Sequence, residues 1–353
     1  MDEITVLTPL SALMFVGELS QLTFRCGAAS AAFELRVDGR CVFANTYTPA
    51  PDGLVTVYDL DRLLDACVET VGALCSISIN GTVVSPGGMR VFRCSSHMDV
   101  PAAYFVTHFF LSPGTEVRIT DPARRELLNV FCTEEEIPTV EATYYLGEGI
   151  IRMLNRTFAL DPTTGHTCLD VSPRRWRDSN PGRTLVGYTV RCGARRMRYV
   201  VNDLDREVSE AFIFLNSFGC WETLYLTGLR ETLPEYTRQT ALVNGFRRNY
   251  DIRETVGYKS LTGPLTHGME PVAMAMGASP AVFFLESNGD AGAEVIITDC
   301  DLKHNNDPTT ASDLSFSFSA AAFAYRLTDD RTARMAVPKP TNVSDHTFDD
   351  EFE

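Results

Sequence analysis

Short runs of alternating apolar and polar residues, separated by turn residues, dominate this chain. Residues 33–43 contain two such runs around Asp38-Gly39, and residues 76–84 contain two more around Asn80-Gly81. An Asp-Gly or Asn-Gly pair between two alternating runs is a strong local signal for a β-hairpin. The first hundred residues are therefore predicted to form a small β-sandwich.

The same alternation continues along the rest of the chain. It is strictest at residues 314–319, where it predicts a strand with one buried face and one solvated face. Helix signals are few. One helix is predicted over residues 59–70 with Asp59 or Asp61 as its cap, and two short ones over residues 148–155 and 271–276. The further predicted strands are residues 103–110, 116–120, 184–191, 197–201, 211–216, 222–227, 281–286, 294–298 and 314–325.

These elements predict an all-β chain with two or more β-sandwich-like domains and a few short helices. A length of 353 residues is long for a single domain. A polar segment that ends in Pro101 suggests a boundary, which divides a small β-sandwich domain at residues 1–97 from a larger β-rich domain at residues 98–330. The larger domain is either one sandwich or two. Residues 331–353 lose the alternation and end in a run of acids, which predicts a flexible acidic tail.

The first residues, the apolar runs and the cysteines indicate in which compartment the chain is made. The chain opens with Met-Asp-Glu, where a signal peptide needs a basic start, and no apolar run approaches the ~20 residues that span a bilayer. We expect synthesis in the cytoplasm without a signal peptide and no membrane span. The ten cysteines have irregular spacing and no CxxC pair, and most lie within apolar runs. They are predicted to be reduced thiols of the core.

The chain carries no motif that indicates catalysis or a cofactor. HExxH, GxSxG, P-loop and GxGxxG patterns are all missing from the sequence, and its six histidines show no zinc spacing. We therefore expect a protein that is not an enzyme and has no cofactor, and a hydrolase with an unrecognised carboxylate site ranks last. One stretch is rich in oxygen ligands, with Asp299, Asp301 and Asp307 as candidate calcium ligands. It lacks the glycine and the bidentate Glu of an EF-hand, which favours a solvated acidic loop between strands.

The overall charge of -15 argues against broad nucleic-acid or anionic-membrane binding. One segment has the opposite charge. Residues 171–200 contain eight arginines and one acid, a local charge of +7. Arginine suits carboxylate or phosphate recognition. The segment could contact an acidic protein surface, including another copy of this chain, or form a solvated strand pair; nucleic acid is disfavoured. The candidate partner-binding residues are Arg174, Arg175, Arg177, Arg195, Arg196 and Arg198.

Residues 211–228 form the most recognisable stretch, an aromatic strand, a turn with Gly219 and a second aromatic strand with Trp221. Pro234-Glu235-Tyr236, Asn244-Gly245 and residues 295–299 follow. Over about residues 100–327 the chain resembles an uncharacterised family of structural proteins from phages and prophages of gut anaerobes, whose members belong to tail or baseplate modules. The resemblance implies a virion or injection-machine component that forms rings by joining β-sheets between subunits. It carries over no catalytic residue.

Two functions therefore remain open. The first is a virion- or tail-type structural assembly protein that builds a ring or stack through sheet edges and charged surfaces, with copies of itself and other structural proteins as partners. The alternative is a carbohydrate-binding or adhesion β-sandwich module with a glycan as partner. Sugar binding needs exposed aromatic side chains, and the candidates are Trp176, Tyr144 and Tyr145.

Overall fold

The chain folds into several β-sheets with only four short α-helices among the residues described, which confirms the all-β prediction. The computed structural model describes residues 4–94, 100–114, 117–146, 153–202, 208, 210–263, 265, 268–287, 289–303 and 313–327. In this part of the chain no helix has the length and apolar content to cross a bilayer. The sheets form three consecutive units, named here the first, second and third.

The first unit is a sandwich of two sheets. One sheet has the strand order β1-β3-β6, and the other has the order β2-β9-β7-β4-β5, with β8 paired to β7. Leu22 and Phe24 of one sheet pack against Phe33 and Ile77 of the other. A 3-10 helix, Val16–Leu19, and α1 (Leu60–Cys67) lie beside them. The strands are β1 (Ile4–Val6), β2 (Leu13–Phe15), β3 (Gln21–Cys26), β4 (Ala31–Val37), β5 (Arg40–Tyr47), β6 (Leu54–Tyr58), β7 (Ala73–Ile79), β8 (Thr82–Val83) and β9 (Arg90–Phe92).

Both predicted hairpins of the first unit are confirmed. β4 pairs with β5 and β7 pairs with β8, each antiparallel. Asp38 and Gly39 have φ values of 46° and 80°, and Asn80 and Gly81 have 49° and 76°. Positive φ at both central residues is the geometry that favours Asn-Gly and Asp-Gly turns. The predicted helix is also present as α1, although the Asp59 side chain that precedes it makes no capping hydrogen bond.

The second unit is a sandwich in which the two-stranded sheet β11-β14 faces the five-stranded sheet β10-β16-β15-β12-β13. Leu128 and Val130 of the smaller sheet pack with Tyr188 and Val190 of the larger one. Two helices, α2 (Ala102–His108) and α3 (Pro173–Asp178), belong to this unit. The strands are β10 (Val117–Thr120), β11 (Leu127–Glu136), β12 (Thr139–Tyr145), β13 (Met153–Ala159), β14 (Thr163–Asp170), β15 (Thr184–Cys192) and β16 (Arg195–Val201).

The third unit is a single seven-stranded sheet of order β18-β17-β21-β22-β23-β20-β19. Helix α4 (Glu270–Gly277) packs on it, with Val272 and Met276 against Phe212 and Phe316. The predicted helix at 271–276 is thus confirmed. The strands are β17 (Glu210–Leu215), β18 (Trp221–Leu226), β19 (Arg230–Val243), β20 (Phe246–Leu261), β21 (Val282–Leu285), β22 (Ala291–Lys303) and β23 (Asp313–Leu327).

A shared aromatic cluster joins the three units. Phe15 and Phe92 come from the first unit, Phe105 and Phe131 from the second, and Phe218 from the third. Phe92 meets Phe131 edge-on at 4.9 Å between ring centroids, and Phe105 stacks on Phe218 at 5.2 Å. The three units therefore pack against one another through one continuous apolar cluster.

Two local predictions are wrong. Residues 103–110 were predicted as a strand but contain α2, because Ala102, Phe105 and Val106 recur at helical spacing and are all buried. In the predicted helix at 148–155, residues 148–152 lie outside the described residues and Met153 begins β13. The division of the chain at residues 97 and 98 stays a prediction, and the predicted acidic tail lies outside the described residues.

All ten cysteines carry free thiols, as predicted, but not all belong to the core. Cys67 is half-buried, and three others, Cys41, Cys168 and Cys300, are exposed. The six buried thiols are Cys26, Cys75, Cys94, Cys132, Cys192 and Cys220. The buried ones behave as small apolar residues.

Candidate interaction surfaces

The first group of predicted partner-binding arginines lies on helix α3. Arg174, Arg175 and Arg177 are exposed, while Trp176 between them is buried. The indole Nε1 of Trp176 donates to the carbonyl of Val171 at 3.3 Å, which holds the short helix against the second unit. Burial of the tryptophan therefore turns the three arginines toward solvent.

The second group lies on the outer face of the β15–β16 pair. Arg196 and Arg198 are exposed, while Met197 and Tyr199 between and beyond them are buried. The strand register places Arg191 directly opposite Arg196. Like charges at directly opposite positions of an antiparallel pair repel each other. An acidic partner on this face would relieve that repulsion.

Arg195 is not available to a partner, so the partner-binding prediction is wrong for this residue. Its side chain is only 2% exposed and donates hydrogen bonds to the carbonyls of Val106 and Phe131, both at 2.7 Å. Its Nη1 also donates to the Glu136 carboxylate at 3.0 Å. The alternation of a strand explains the difference, because Arg195 points to the face opposite that of Arg196.

One arginine of each group lines a depression, and the two depressions differ. Arg174 lines a small cleft of about 120 Å³ with Tyr225 and Glu286. Arg196 lines a larger cleft of about 850 Å³ between the three units. The structure thus distributes the arginine segment over two surfaces.

The larger cleft, here called the junction cleft, is mainly apolar. Arg93 and Asp65 of the first unit and Arg196 of the second supply its charged groups. Its size falls within the range of small-molecule pockets. Its apolar lining comes from the second and third units and includes Phe105, Phe109, Met197, Leu215, Phe218 and Met274.

A buried polar network lies beside the junction cleft. Ser112 lines the cleft, and its hydroxyl donates to Glu222 Oε1 at 2.7 Å. Asn216 Nδ2 donates to Glu222 Oε2 at 2.9 Å, and Arg118 pairs with the same carboxylate. These bonds connect β10 of the second unit to β18 of the third. The carboxylate is fully engaged by its partners, so the arrangement ties two units together.

The β19–β20 hairpin is the most exposed element of the third unit. β19 forms the edge of the seven-stranded sheet, and in the described part of the chain it pairs only with β20. Tyr236, Leu242 and Phe246 are 48%, 71% and 71% exposed. Sequence reasoning missed this hairpin, although its turn, Asn244-Gly245, carries the usual signal and has φ values of 52° and 79°.

The candidate calcium ligands are not brought together with a third ligand in the described structure. Asp299 and Asp301 are exposed on β22, where a solvated loop was expected, and Asp307 lies outside the described residues. Asp299 Oδ1 accepts a hydrogen bond from the backbone N–H of Cys300 at 2.9 Å. The two carboxylates share one face of the strand by its alternation.

Two of the three aromatic candidates for sugar binding are in the core of the second unit. Trp176 is 4% exposed and Tyr144 is 0% exposed, so neither can stack on a glycan. The Tyr144 hydroxyl donates to the carbonyl of Trp176 at 2.7 Å. Tyr145 is half-buried. The expected sugar platform is therefore wrong for Trp176 and Tyr144.

Comparisons with known proteins complete the description. The chain matches no protein-family model and no curated protein. Among solved structures it is similar to a chain from the virion of a native gene transfer agent particle, with 9% identity and a TM-score of 0.21 over 34% of this chain and 96% of that one. A second similar structure concerns host cell surface retention of a 1.5-MDa bacterial ice-binding adhesin, with 9% identity and a TM-score of 0.17 over 73% of this chain and 91% of that one.

Proposed function

We propose that this chain is a structural assembly protein of the virion or tail type, which builds a ring or stack with copies of itself and other structural proteins. The observation that carries the proposal is the β19–β20 hairpin, an edge of the seven-stranded sheet that exposes large apolar side chains. The proposed role is non-catalytic and needs no cofactor.

An open sheet edge has a physical tendency to pair. Its outward N–H and C=O groups lack strand partners, and a neighbouring strand can satisfy them by extending the sheet. β19 runs for 14 residues, which is long for an edge strand. Natural proteins protect edges with proline and charge, and β19 does contain Pro234 and four charged residues. Pro234 lies near its start, which leaves Tyr236 to Val243 as the segment for pairing.

The apolar side chains of the hairpin add a second driving force. Leu242 and Phe246 flank the turn and are each 71% exposed. A cluster of this kind on a free surface costs solvation energy, and large exposed apolar patches mark sites of protein contact. Each is already about three-tenths buried, so burying both side chains fully in a neighbour would contribute about 2–4 kcal/mol of apolar transfer energy, before the entropy of association is counted.

The exposed arginines would determine which surface of a neighbouring copy each copy contacts. Arg191, Arg196 and Arg198 form a basic face on a chain of net charge -15. Contact between a basic face of one copy and an acidic face of the next joins two different surfaces. Such a heterologous contact generates a ring if the rotation closes and a stack or filament if it does not.

The experiment is light scattering behind a sizing column, over a range of chain concentrations, with negative-stain images of the main peak. The test variant is Leu242→Lys with Phe246→Lys, and the matched control is Leu7→Lys, a residue 50% exposed and outside any strand. We expect multimers in the wild type and the control and monomers in the hairpin variant. A wild-type chain that stays monomeric at every concentration, or a hairpin variant that assembles normally, would contradict the proposal.

A further inference from the structure

Three side chains with metal-binding atoms meet at one end of the sandwich in the second unit. Cys132 lies on β11, Glu136 ends the same strand, and Cys192 ends β15 of the facing sheet. Their donor atoms all lie within 4.8 Å of one another, and no other group of three or more His, Cys, Asp or Glu side chains meets this condition in the described residues.

The distances match those around a tetrahedral ion. The two Sγ atoms are 3.7 Å apart, and Cys192 Sγ is 3.3 Å from Glu136 Oε2. Zinc binds thiolate at about 2.3 Å and carboxylate at about 2.0–2.2 Å, so its tetrahedral geometry separates two sulfurs by about 3.8 Å and sulfur from oxygen by about 3.6 Å. Two sides of the observed triangle are thus close to those of a zinc tetrahedron, and the third, from Cys132 Sγ to the Glu136 carboxylate, is within 4.8 Å.

The backbone is shaped to bring these atoms together. The β11–β14 register breaks between Cys132 and Glu136, which swings the carboxylate off the regular ladder. Gly193 follows Cys192 with a φ of 57°, and a Cβ at this position would lie 2.5 Å from Glu136 Oε2. Only glycine therefore leaves room for the carboxylate to approach the cysteine.

Two neighbours form an outer layer around the three donors. Arg195 Nη1 donates to both oxygens of Glu136, at 3.1 Å and 3.0 Å, and so fixes the orientation of the carboxylate. Thr163 Oγ1 lies 3.4 Å from Cys132 Sγ. Two thiolates, one carboxylate, one guanidinium and one divalent ion would cancel to zero net charge, which lowers the penalty of burying an ion here.

The cluster is buried on one side and open on the other. Cys132 and Cys192 are each 1% exposed. The Glu136 side chain is 27% exposed, which gives an ion a route from solvent past the carboxylate. A buried thiol pair with a half-exposed carboxylate has the ligand softness that selects zinc-class ions over calcium or magnesium.

We propose that Cys132, Glu136 and Cys192 bind a divalent ion of the zinc class, with water as the fourth ligand. The ion would join β11 to β15 across the two facing sheets of the second unit and would act as a structural clamp. This site is independent of the assembly proposed above.

The test uses Co²⁺ as a spectroscopic substitute for zinc. The full chain is stripped with a chelator under reducing, oxygen-free conditions and then titrated with Co²⁺. We expect one Co²⁺ per chain with sulfur-to-cobalt charge-transfer absorption, which added Zn²⁺ abolishes. Cys132→Ser and Cys192→Ser should lose this absorption, and Glu136→Gln should weaken binding. The matched control is Cys220→Ser, which removes a buried thiol outside the cluster and should retain it.

A second measurement needs no variant and therefore does not depend on folding of the mutants. In a urea concentration that partly unfolds the chain and so makes its buried thiols reactive, Zn²⁺ should slow the alkylation of two of the ten thiols, and mass spectrometry should identify them as Cys132 and Cys192. The proposal is overturned if the wild type shows no charge-transfer band, if the band survives in both cysteine variants, or if Zn²⁺ protects other thiols. It is also overturned if the chain, kept under the reducing and oxygen-free conditions of the titration, still carries a Cys132–Cys192 disulfide, which mass spectrometry detects as a mass two hydrogens below that of the dithiol.

Discussion

Arg118 and Glu222 form an ion pair in which both side chains are almost wholly buried, at 1% and 2% exposure. Arg118 comes from β10 of the second unit and Glu222 from β18 of the third, so the pair crosses the boundary between them. Removing one partner of such a pair leaves a buried charge without compensation.

We expect Glu222→Gln to destabilise the chain by about 3–5 kcal/mol, because Arg118 would lose its buried counter-charge. Urea unfolding followed by tryptophan fluorescence measures the change, since Trp221 is the neighbouring residue. The matched control is Glu34→Gln in the pair with Arg36, whose side chains are 32% and 49% exposed. That change should cost about 0–1 kcal/mol. Equal shifts in the two variants would show that the buried pair contributes no more than a surface pair.

Gly72 supports the aromatic cluster by having no side chain. It has a φ of +71°, and a Cβ there would lie 2.7 Å from the Phe131 ring and 2.9 Å from the Phe92 ring. Gly81 has a similar φ of +76° but no atom within 4 Å of its Cβ position. Gly81→Ala should therefore lower the free energy of unfolding only by the cost of the left-handed conformation, about 1–2 kcal/mol.

We expect Gly72→Ala to lower the free energy of unfolding by about 1–3 kcal/mol more than Gly81→Ala does, because its methyl group overpacks the cluster. Thermal or urea unfolding of the two variants measures the difference. If the two variants lose the same stability, the Phe92 and Phe131 rings can move away from the new methyl group at no cost in free energy. The cluster is then more loosely packed than the 2.7 Å and 2.9 Å contacts imply.

His166 makes stability depend on pH. Its Nε2 lies 3.1 Å from Asn129 Oδ1, and burial lowers the pKa of this histidine from its ordinary value of 6.5. The unfolded chain therefore takes up a proton more readily than the folded chain as the pH falls through 6.5, so the free energy of unfolding should decrease on acidification below that value.

His166→Gln should remove this part of the pH dependence, while His108→Gln, which changes a histidine at the end of helix α2, serves as the control. Unfolding of the three chains is compared at pH 7 and pH 5. The expected result is a smaller loss of stability on acidification in His166→Gln than in the wild type. An identical pH dependence in all three chains would count against a lowered pKa of His166 in the folded chain.

Arg191 and Arg196 oppose each other on the β15–β16 pair, whereas Arg198 lies opposite Thr189. Because like charges at opposed positions repel, Arg196→Ala should raise stability at low salt by about 0.2–1 kcal/mol relative to Arg198→Ala. The gain should shrink at 1 M salt, where charges are screened within about 3 Å. A gain that does not respond to salt would point to packing rather than charge.

The sequence predicts the turns well because their chemistry is local. The hairpin turns at Asp38-Gly39 and Asn80-Gly81 require positive φ, which these residue pairs tolerate, and strict alternation from Leu314 onward needs only a half-buried sheet. The apolar run of helix α2 suits either strand or helix, and the sequence does not show that Phe105 packs on Phe218 of the third unit. Local pattern alone separates such short runs poorly.

The sites were harder to predict than the elements, because they depend on contacts between distant residues. Strand alternation places Arg195 on the inner face and Arg196 on the outer face, whereas the local charge of the segment does not distinguish the two faces. The meeting of Cys132 with Cys192 spans 60 positions, and the Arg118–Glu222 pair spans 104. No spacing rule along the chain marks either contact, since both depend on how two sheets or two units come together.

The shared aromatic cluster has a consequence for how the chain is made. Phe15 and Phe92 belong to the first unit, but Phe218, which packs against Phe15 at 6.1 Å, follows more than a hundred positions after Phe92. During translation the first unit can fold while its share of the cluster still faces water, for a time on the order of ten seconds at ordinary synthesis rates. A nascent chain stalled before Phe218 should therefore expose an aromatic surface that ribosome-associated chaperones bind, and one stalled well beyond it should not.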